Sequence, residues 1–422
     1  MHLNKRMLAM KTFIKPLVLL TFLQFGLHLK AAIYMTVATD GSGDYKTISA
    51  AINALPMFNY ERAVIYVKNG VYNEKIRIDQ DYITIRGESR ENTIIQFNQL
   101  RTDWIANKDS IGPAVVNLNG DDIILENLTI ENTQPKVGPH AFAIYGKGTR
   151  TIIFNCNVLS KGGDTVSLWD YKNGMYYHSN CTFVGAVDFV CPRGWCFIRN
   201  SKFYELVKTA AIWHAGGYDK DQKLVIWNSS FDGIRGFELG RHHYEAQFYL
   251  LYCTFSDSLA NKPIYRVTAG VDPKSARPFI WGERYYFYEC HGAHVDYDWH
   301  KNNLETAQKR LRPEELTSTW TFDGKWDPES KEGPKIVTPI IKDNILILTF
   351  SEPITLKGLP TLKSRSGKRF SYDSGSGSNT IRFNCDTKLF KEDIKGLTFA
   401  NDGRLTGTLA SVAERVADLT IK

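Results

Sequence analysis

The sequence lacks several features that define common protein classes. No second short Cys/His pair accompanies Cys191 and Cys196, so a zinc site is not expected. No Leu-x-x-Leu-x-Leu pattern occurs, which removes support for leucine-rich repeats. The seven cysteines do not form a small disulfide framework and leave at least one unpaired. Two alternatives remain for Cys191 and Cys196: a disulfide bridge across a tight turn, or two free thiols.

The first 32 residues contain no acidic residue, and their apolar run, at 16–26, is short. No cysteine follows this run directly. Five basic residues flank it: Lys5, Arg6, Lys11, Lys15 and Lys30. We interpret 1–32 as a signal peptide, too short in its apolar part for a membrane span and without a lipoprotein attachment cysteine. The expectation is export, to the periplasm or beyond the cell, with no membrane insertion of the mature chain.

The net charge of +7 does not indicate an anionic partner, because most of it comes from this segment. Subtracting its five basic residues leaves about +2 for the remainder. A strongly basic surface is the electrostatic footprint of nucleic-acid binding, so no nucleic-acid partner is expected.

The rest of the chain is rich in short β-type runs that end in a recurring asparagine. The intervals between these positions are 28, 25, 20, 28 and 24 residues, and the positions are Asn127, Asn155, Asn180, Asn200, Asn228 and the equivalent Tyr252. A repeat of this length, with about three short strands, is typical of a parallel β-helix. The asparagines predict a ladder of stacked side chains, and the alternative is that Asn only favours turns.

The predicted fold is all-β: a right-handed parallel β-helix over 33–330, followed by a small Ig-like β-sandwich over 335–422. Helical apolar spacing within 45–55 indicates a helix that caps the N-terminal end of the coil. After residue 334 the pattern changes to short alternating strands with Gly/Ser turns, which favours the sandwich.

Two aspartates 24 positions apart, Asp164 and Asp188, lie at equivalent places in successive repeats. Because stacked strands are about 4.8 Å apart, carboxylates on neighbouring rungs would titrate as a coupled pair. Such a pair supplies an acid and a nucleophile at one pH. A turn residue is the simpler explanation for either aspartate alone.

Four segments stand out around these aspartates: His140-Ala141-Phe142-Ala143-Ile144, Gly163-Asp164-Thr165-Val166, Gly185-Ala186-Val187-Asp188-Phe189-Val190 and Leu239-Gly240-Arg241. In this order they resemble the pectin methylesterases, and the chain is similar to a divergent, bacterial-type member. Flanking stretches at 37–48 and 326–328 agree as well. Order, spacing and β-helical context together make the resemblance specific.

The resemblance implies catalytic roles for three residues. Asp188 would attack the methyl-ester carbonyl of a galacturonate unit, and Asp164 would protonate the departing methanol. Arg241 would hold Asp188 ionised, since a guanidinium beside one carboxylate lowers its pKa. No cofactor and no metal ion are expected.

The chain departs from the family pattern where the oxyanion is bound. His140 and Gly163 stand where the family usually has glutamines, and losing one such donor can cost about 10²–10³ in rate. Two alternatives remain for His140: its imidazole donates to the oxyanion, or it is an ordinary exposed histidine. Two remain for Gly163: its backbone N–H donates to the oxyanion, or the missing side chain makes room. His243 follows His242 where the family has Pro-Trp, and the two are expected on opposite faces of a strand.

Sugar sites need flat apolar platforms, and three tryptophans fall near the proposed centre: Trp169, Trp195 and Trp213. Trp169 and Trp213 are the preferred candidates, and burial in the core is the alternative for each. With His140, Gly163 and His243 they form the predicted substrate-binding set.

The leading hypothesis is a monomeric esterase that removes methyl groups from galacturonic acid in pectic polysaccharide or oligosaccharide. A glycoside hydrolase is an alternative, because two close carboxylates also suit retaining chemistry. A second alternative is a β-helix that binds pectin without catalytic activity.

Overall fold

The computed structural model describes residues 33–59, 62–216, 219–267, 281–307, 310–352, 354–407 and 415–421. The predicted signal peptide at 1–32 lies outside these residues. Within the described ranges, no helix is long and apolar enough to cross a membrane.

The coil consists of three parallel sheets, counted over the described ranges. The ten-stranded sheet contains Tyr34–Val37, Ala63–Val67, Ile83–Gly87, Ile124–Glu126, Thr151–Phe154, Met175–Ser179, Trp195–Arg199, Leu224–Trp227, Gln247–Leu251 and Arg284–Tyr288. The eight-stranded sheet contains Ile76–Ile78, Val116–Leu118, Ile144–Gly146, Val166–Leu168, Val190–Pro192, Ala210–His214, Glu238–His242 and Tyr265–Arg266. The nine-stranded sheet contains Gly70–Asn73, Thr93–Phe97, Thr129–Asn132, Asn157–Ser160, Thr182–Gly185, Lys202–Glu205, Ser230–Gly233, Thr254–Phe255 and His291–Gly292.

Each turn of the coil contributes one strand to each sheet, and strands pair in parallel with their equivalents on the next turn. The inward side chains stack in rows, as the phenylalanines of the nine-stranded sheet show. Ring centroids are 5.4 Å apart from Phe183 to Phe203, 4.4 Å from there to Phe231, and 5.7 Å from Phe231 to Phe255. Burying each ring contributes roughly 1.5–3 kcal/mol, so the rows hold successive turns in register. The parallel β-helix prediction is confirmed.

The recurring asparagines form a ladder and also occupy turns. Asn155 Nδ2 donates to Asn127 Oδ1 at 2.8 Å, and Asn228 Nδ2 donates to Asn200 Oδ1 at 2.8 Å. The backbone at these four positions and at Asn180 is left-handed, with φ between 44° and 60°. Asparagine tolerates that conformation better than most residues. The ladder is therefore confirmed for two pairs, and turn preference explains the same positions.

Short helices flank the coil. Helix Ile48–Asn53 buries Ile48, Ala51 and Ile52 in the core of the coil, which confirms the predicted helix. The other α-helices are Arg101–Ala106 and Ser318–Thr321. After the last turns, 3-10 helices occur at Asp298–His300, Leu304–Thr306 and Pro313–Glu315. The segment that contains the last two packs against outward side chains of the ten-stranded sheet, including Tyr249.

The C-terminal part is antiparallel. A six-stranded sheet contains Ile336–Lys342, Ile345–Phe350, Thr380–Asn384, Arg369–Ser374, Thr361–Lys363 and Thr398–Phe399, and a two-stranded sheet contains Ile354–Lys357 and Arg404–Gly407. A 3-10 helix lies at Lys391–Ile394. Its core, drawn from 346–419, is separate from that of the coil. The all-β prediction is confirmed, and the Ig-like type and the domain boundaries stay predictions.

All seven cysteines lie in the described ranges, and each is free and buried. The alternative of a Cys191–Cys196 bridge is therefore wrong. Cys191 belongs to the eight-stranded sheet and Cys196 to the ten-stranded sheet, so the two side chains belong to different walls of the coil.

Candidate active site

Asp164 and Asp188 occupy matching places on adjacent turns of the eight-stranded sheet. Each lies two residues before a strand, and these strands pair with Val166 opposite Val190. Both aspartates have left-handed backbone, with φ of 56° and 55°, and so has Val187 at 45°. The amide N–H of Asp164 donates to the carbonyl of Val187 at 3.1 Å. The prediction from the 24-residue spacing, that the two aspartates lie on neighbouring rungs, is therefore confirmed.

Arg241 binds Asp188 through two parallel hydrogen bonds. Its Nε donates to Oδ1 at 2.8 Å and its Nη2 donates to Oδ2 at 2.7 Å. Arg241 lies on the strand Glu238–His242, opposite Tyr265 of the next strand. Tyr265 in turn donates to Glu238 at 2.5 Å. This fork is the strong form of the arginine–carboxylate contact, and it raises the pKa of Arg241 despite partial burial.

Burial raises the pKa of both carboxyl groups. The side chains of Asp164 and Asp188 are 13% and 12% exposed, and loss of solvent raises each pKa to about 6. At Asp188 the Arg241 contact opposes this rise and the charge of Asp164 adds to it. The two groups therefore titrate as a coupled pair. We expect the first proton to leave Asp188, because Arg241 contacts that carboxylate directly.

His140 stands at the open side of the pair. Its side chain is 47% exposed, and its Nε2 is 3.8 Å from Asp164 Oδ1, too far for a hydrogen bond. Burial, and then the charge of Arg101, lower the pKa of this imidazole. A neutral ring with one free N–H can donate to an oxygen that enters between it and the aspartates.

Gly163 does not offer a free donor. Its amide N–H donates to the carbonyl of Pro139 at 3.2 Å, which excludes the backbone-donor alternative in this conformation. A Cβ at this position would lie 3.2 Å from the carbonyl oxygen of Val187, tighter than an ordinary contact. Gly163 therefore makes room beside the aspartates.

The two predicted tryptophan platforms enclose an arginine. The Arg193 guanidinium carbon lies 3.9 Å from the ring centre of Trp169 and 4.6 Å from that of Trp213. Trp213 is only 6% exposed, and His243 stands perpendicular to it at 5.0 Å. Its prediction as an exposed sugar platform is therefore corrected to a buried wall residue. Trp169 stays half-buried and retains an accessible part.

Sequence patterns did not single out Arg193 or Arg101 as site residues. Both guanidinium groups oppose the rise in the pKa of Asp164, and Arg193 has the larger effect. Arg193 directly follows the strand Val190–Pro192, and none of the four motif segments includes it. Arg101 lies on a helix remote in sequence from every motif, and no signal marked it.

Trp195 and His242 lie apart from this centre. Trp195 belongs to the ten-stranded sheet, where Lys325 Nζ lies 4.5 Å from its ring centre. His242 is buried; its Nδ1 donates to the carbonyl of Tyr244 and its Nε2 accepts from the Tyr285 hydroxyl, while His243 faces Trp213. The two histidines point to opposite faces as predicted. Among the described residues, no cluster of three His, Cys, Asp or Glu side chains is arranged to hold a metal ion.

Comparison with solved structures shows the fold. Pectin methylesterase PemA from Erwinia chrysanthemi superposes with a TM-score of 0.56 at 21% identity, over 69% of this chain and 97% of that one. Pectin methylesterase from carrot gives 0.53 at 22% identity, over 63% and 84%. At these identities the likeness concerns the β-helix alone.

Comparison of sequences is more specific. A pectinesterase of Petunia integrifolia is 32% identical over 169 residues, 40% of this chain and 43% of that protein. The probable pectinesterase/pectinesterase inhibitor 58 of Arabidopsis thaliana is 32% identical over 174 residues, 39% and 28%. The chain thus spans less than half the length of these relatives. The pectinesterase family model matches residues 34–214, which include Asp164 and Asp188 but not Arg241.

Proposed function

We propose that this protein is a secreted carbohydrate esterase that hydrolyses methyl esters of galacturonic acid in pectic polysaccharide or oligosaccharide. The observation that carries the proposal is the fork between Arg241 and Asp188, beside a second buried carboxyl group at Asp164. The match of the pectinesterase family model to 34–214 supports the same chemistry. One solved structure with this fold is a pectin methylesterase in complex with a hexasaccharide, which supports a pectic oligosaccharide as the ligand class here.

The first half of the reaction uses the pair in opposite protonation states. An oxygen of the Asp188 carboxylate attacks the ester carbonyl carbon, and His140 donates to the oxyanion that forms. When the intermediate collapses, the bond from carbon to methoxy oxygen breaks. That oxygen takes the proton of Asp164. Methanol leaves, and an anhydride joins Asp188 to the uronate.

The second half restores both groups. A water molecule attacks the uronate carbonyl of the anhydride while the Asp164 carboxylate takes a proton from it. The bond between that carbonyl carbon and the Asp188 oxygen breaks. The products are a free uronic acid and the Asp188 carboxylate, again paired with Arg241. One water is consumed and one methanol is released in each cycle.

The proposal extends to properties of the whole chain. Export to the periplasm or the cell exterior rests on the basic and apolar pattern of 1–32. We also propose a monomer of the bacterial type whose C-terminal domain is an Ig-like sandwich, as the strand pattern of 335–422 favours.

The test is methanol release from methyl-esterified oligogalacturonides by three variants. Asp188→Asn and Asp164→Asn are expected to lower the rate at least about 10³-fold, since each removes a group that acts on the reacting atoms. Asp170→Asn is the matched control, because the Asp170 carboxylate accepts from the backbone N–H groups of Lys172 and Asn173 in a turn. New reducing ends without methanol would instead establish a glycoside hydrolase. Unchanged methanol release by Asp188→Asn would remove Asp188 as the nucleophile.

A further inference from the structure

A cavity of about 280 Å³ lies on the outer side of the ten-stranded sheet, away from the aspartate pair. Six of its lining residues combine aromatic rings with cations: Lys220, Tyr249, Trp281, Arg284, Tyr286 and Trp320. The proposed catalytic residues belong to the eight-stranded sheet and none of them lines it. Its volume is near the lower end of the range of small-molecule pockets, roughly 300–1,000 Å³, and suits a single sugar unit.

Arg284 is the buried cation of this cavity and is only partly paired. It is 8% exposed, and its Nη1 donates to the carbonyl of Lys220 at 2.6 Å. Its Nε and Nη2 are buried and have no hydrogen-bond partner among the described residues. Leaving donors of a charged group unpaired away from water is strongly unfavourable. The two free N–H groups therefore indicate a missing acceptor.

The acidic groups nearby do not supply that acceptor. Glu245 accepts instead from the backbone N–H groups of Trp281 and Gly282. Asp323 pairs with Lys223 at 2.6 Å. Of the charged lining residues, three are cations and two are acids, and neither Glu245 nor Asp323 accepts a hydrogen bond from Nε or Nη2 of Arg284.

The aromatic rings give the cavity a flat wall. Tyr249 and Tyr286 stack with centroids 4.8 Å apart, and Trp320 meets Tyr249 edge-on at 5.3 Å. Trp281 lies against Arg284, with 5.3 Å from guanidinium carbon to ring centre. A ring with an apolar face and one carboxylate matches this combination, because the carboxylate fits the arginine fork and the ring face packs on the aromatics.

We propose that this cavity is a second carbohydrate site, which binds one unesterified uronic acid unit through Arg284. The choice of uronic acid rests on the proposed function, since the free uronate is its product. A site for product units, separate from the reacting centre, would hold the enzyme on stretches of polymer that it has already de-esterified.

The test is a calorimetric titration of the full-length protein with unesterified trigalacturonate. Arg284→Gln is expected to remove one binding event or weaken it at least 10-fold. Arg312→Gln, which changes an exposed arginine outside the cavity, is expected to change nothing. A neutral galactose trimer is expected to bind this cavity at least 10-fold more weakly than the uronate.

A second variant covers the case in which Arg284→Gln unfolds. Lys220 is exposed and lines the cavity, and Lys220→Gln keeps the backbone carbonyl that Arg284 contacts. It is expected to weaken trigalacturonate binding 2- to 5-fold by removing one positive charge. Unchanged binding in a folded Arg284→Gln, or in Lys220→Gln, overturns the proposal, and so does equal binding of the neutral trimer.

Methanol release by the unmodified protein separates the two proposals. Release without any binding that depends on Arg284 or Lys220 overturns the second site and leaves the esterase. Binding that depends on these residues, without release, overturns the esterase and leaves a uronate-binding site.

Discussion

Asp188 and its neighbour Val187 both have left-handed backbone, with φ of 55° and 45°. For a β-branched residue such as valine this is a genuine outlier, and each such residue stores roughly 1–3 kcal/mol of strain. Strain of this kind persists where surrounding contacts hold the residue in place. Here the Asp188 N–H bonds to Ala210 O at 2.7 Å and Arg241 holds its carboxylate. The strained turn orients the proposed nucleophile before any substrate arrives.

Substitution of His140 is the most informative test of how the oxyanion is bound. We expect His140→Ala to lower the rate of methanol release about 10²-fold, because one donor to the oxyanion is lost. His140→Gln places the family's usual amide at the position and is expected to keep at least a tenth of the activity. The measurement is kcat and KM on methyl-esterified oligogalacturonides.

If His140→Ala raises KM and leaves kcat unchanged, the imidazole contributes uniform binding and the oxyanion role is wrong. Equal losses in the Ala and Gln variants would also contradict it.

The aspartate pair could be predicted from spacing because one turn of the coil returns the chain to the same wall after 24 residues. The contact of Arg241 with Asp188 was predicted by resemblance. Arg193 could not be predicted, because its position depends on Trp169 and Trp213, which approach it from different turns. Cation–aromatic contacts across rungs have no fixed spacing in sequence.

At the scale of the element, the recurring unit is the turn that ends the seven strands of the ten-stranded sheet from Ile124–Glu126 to Arg284–Tyr288. A residue with positive φ is followed by one that points inward, as Asn180 is by Cys181 and Asn200 by Ser201. Tyr252 has the same conformation with φ of 55°, so the position is defined by backbone geometry first. The hydrogen-bonded ladder is an addition where two asparagines meet.

We expect Asn228→Ala to destabilise the protein by about 2 kcal/mol. The change removes the hydrogen bond to Asn200, worth about 0.5–1.5 kcal/mol, and forces alanine into left-handed backbone at roughly 1–2 kcal/mol. Asn228→Gly loses the bond without the steric cost and is expected to cost about 1 kcal/mol. The measurement is the free energy of unfolding from urea titration.

Asn107→Ala is the matched control for this pair, since Asn107 is exposed and has φ of −135°. Equal destabilisation by the alanine and glycine variants at 228 would mean that the backbone conformation contributes nothing.

The elements of the coil were predictable because their repeat is local: strand, asparagine, inward residue, strand. The packing of the segment after the coil onto the ten-stranded sheet was only partly predictable. The return of aromatic residues at 320–328 indicates packing against the core, yet the partners Tyr249 and Phe322 are recognised only when outward faces are known. An outward aromatic and an inward one have the same strand propensity.

At the scale of the whole molecule, buried acids decide how stability depends on pH. Burial raises the pKa of Glu205 to about 8, and its Oε2 has no hydrogen-bond partner. The folded protein therefore keeps a proton that the unfolded chain loses near its ordinary pKa of 4.5. Stability falls as pH rises between about 4.5 and 8 and levels off above, by at most about 1.4 kcal/mol per pH unit. Asp164 and Asp188 add a similar fall that ends near pH 6.

We expect Glu205→Gln to remove the fall in stability at the upper end of this pH range, because the amide is neutral at every pH. Its stability relative to the unmodified protein should increase steadily from pH 5 to pH 8 and then stay constant. The measurement is the free energy of unfolding at each pH, with the exposed Glu314→Gln as control. A difference that does not change with pH would show that Glu205 is ionised in the fold.

The buried thiols have a practical consequence for making the protein. Each of the seven is free, and burial raises the pKa of those at Cys156, Cys181, Cys191 and Cys196, which suppresses the reactive thiolate. No covalent cross-link is needed to complete the coil. We therefore expect the chain without residues 1–32 to fold in the reducing cytosol of an expression host and to need no oxidative refolding step in purification.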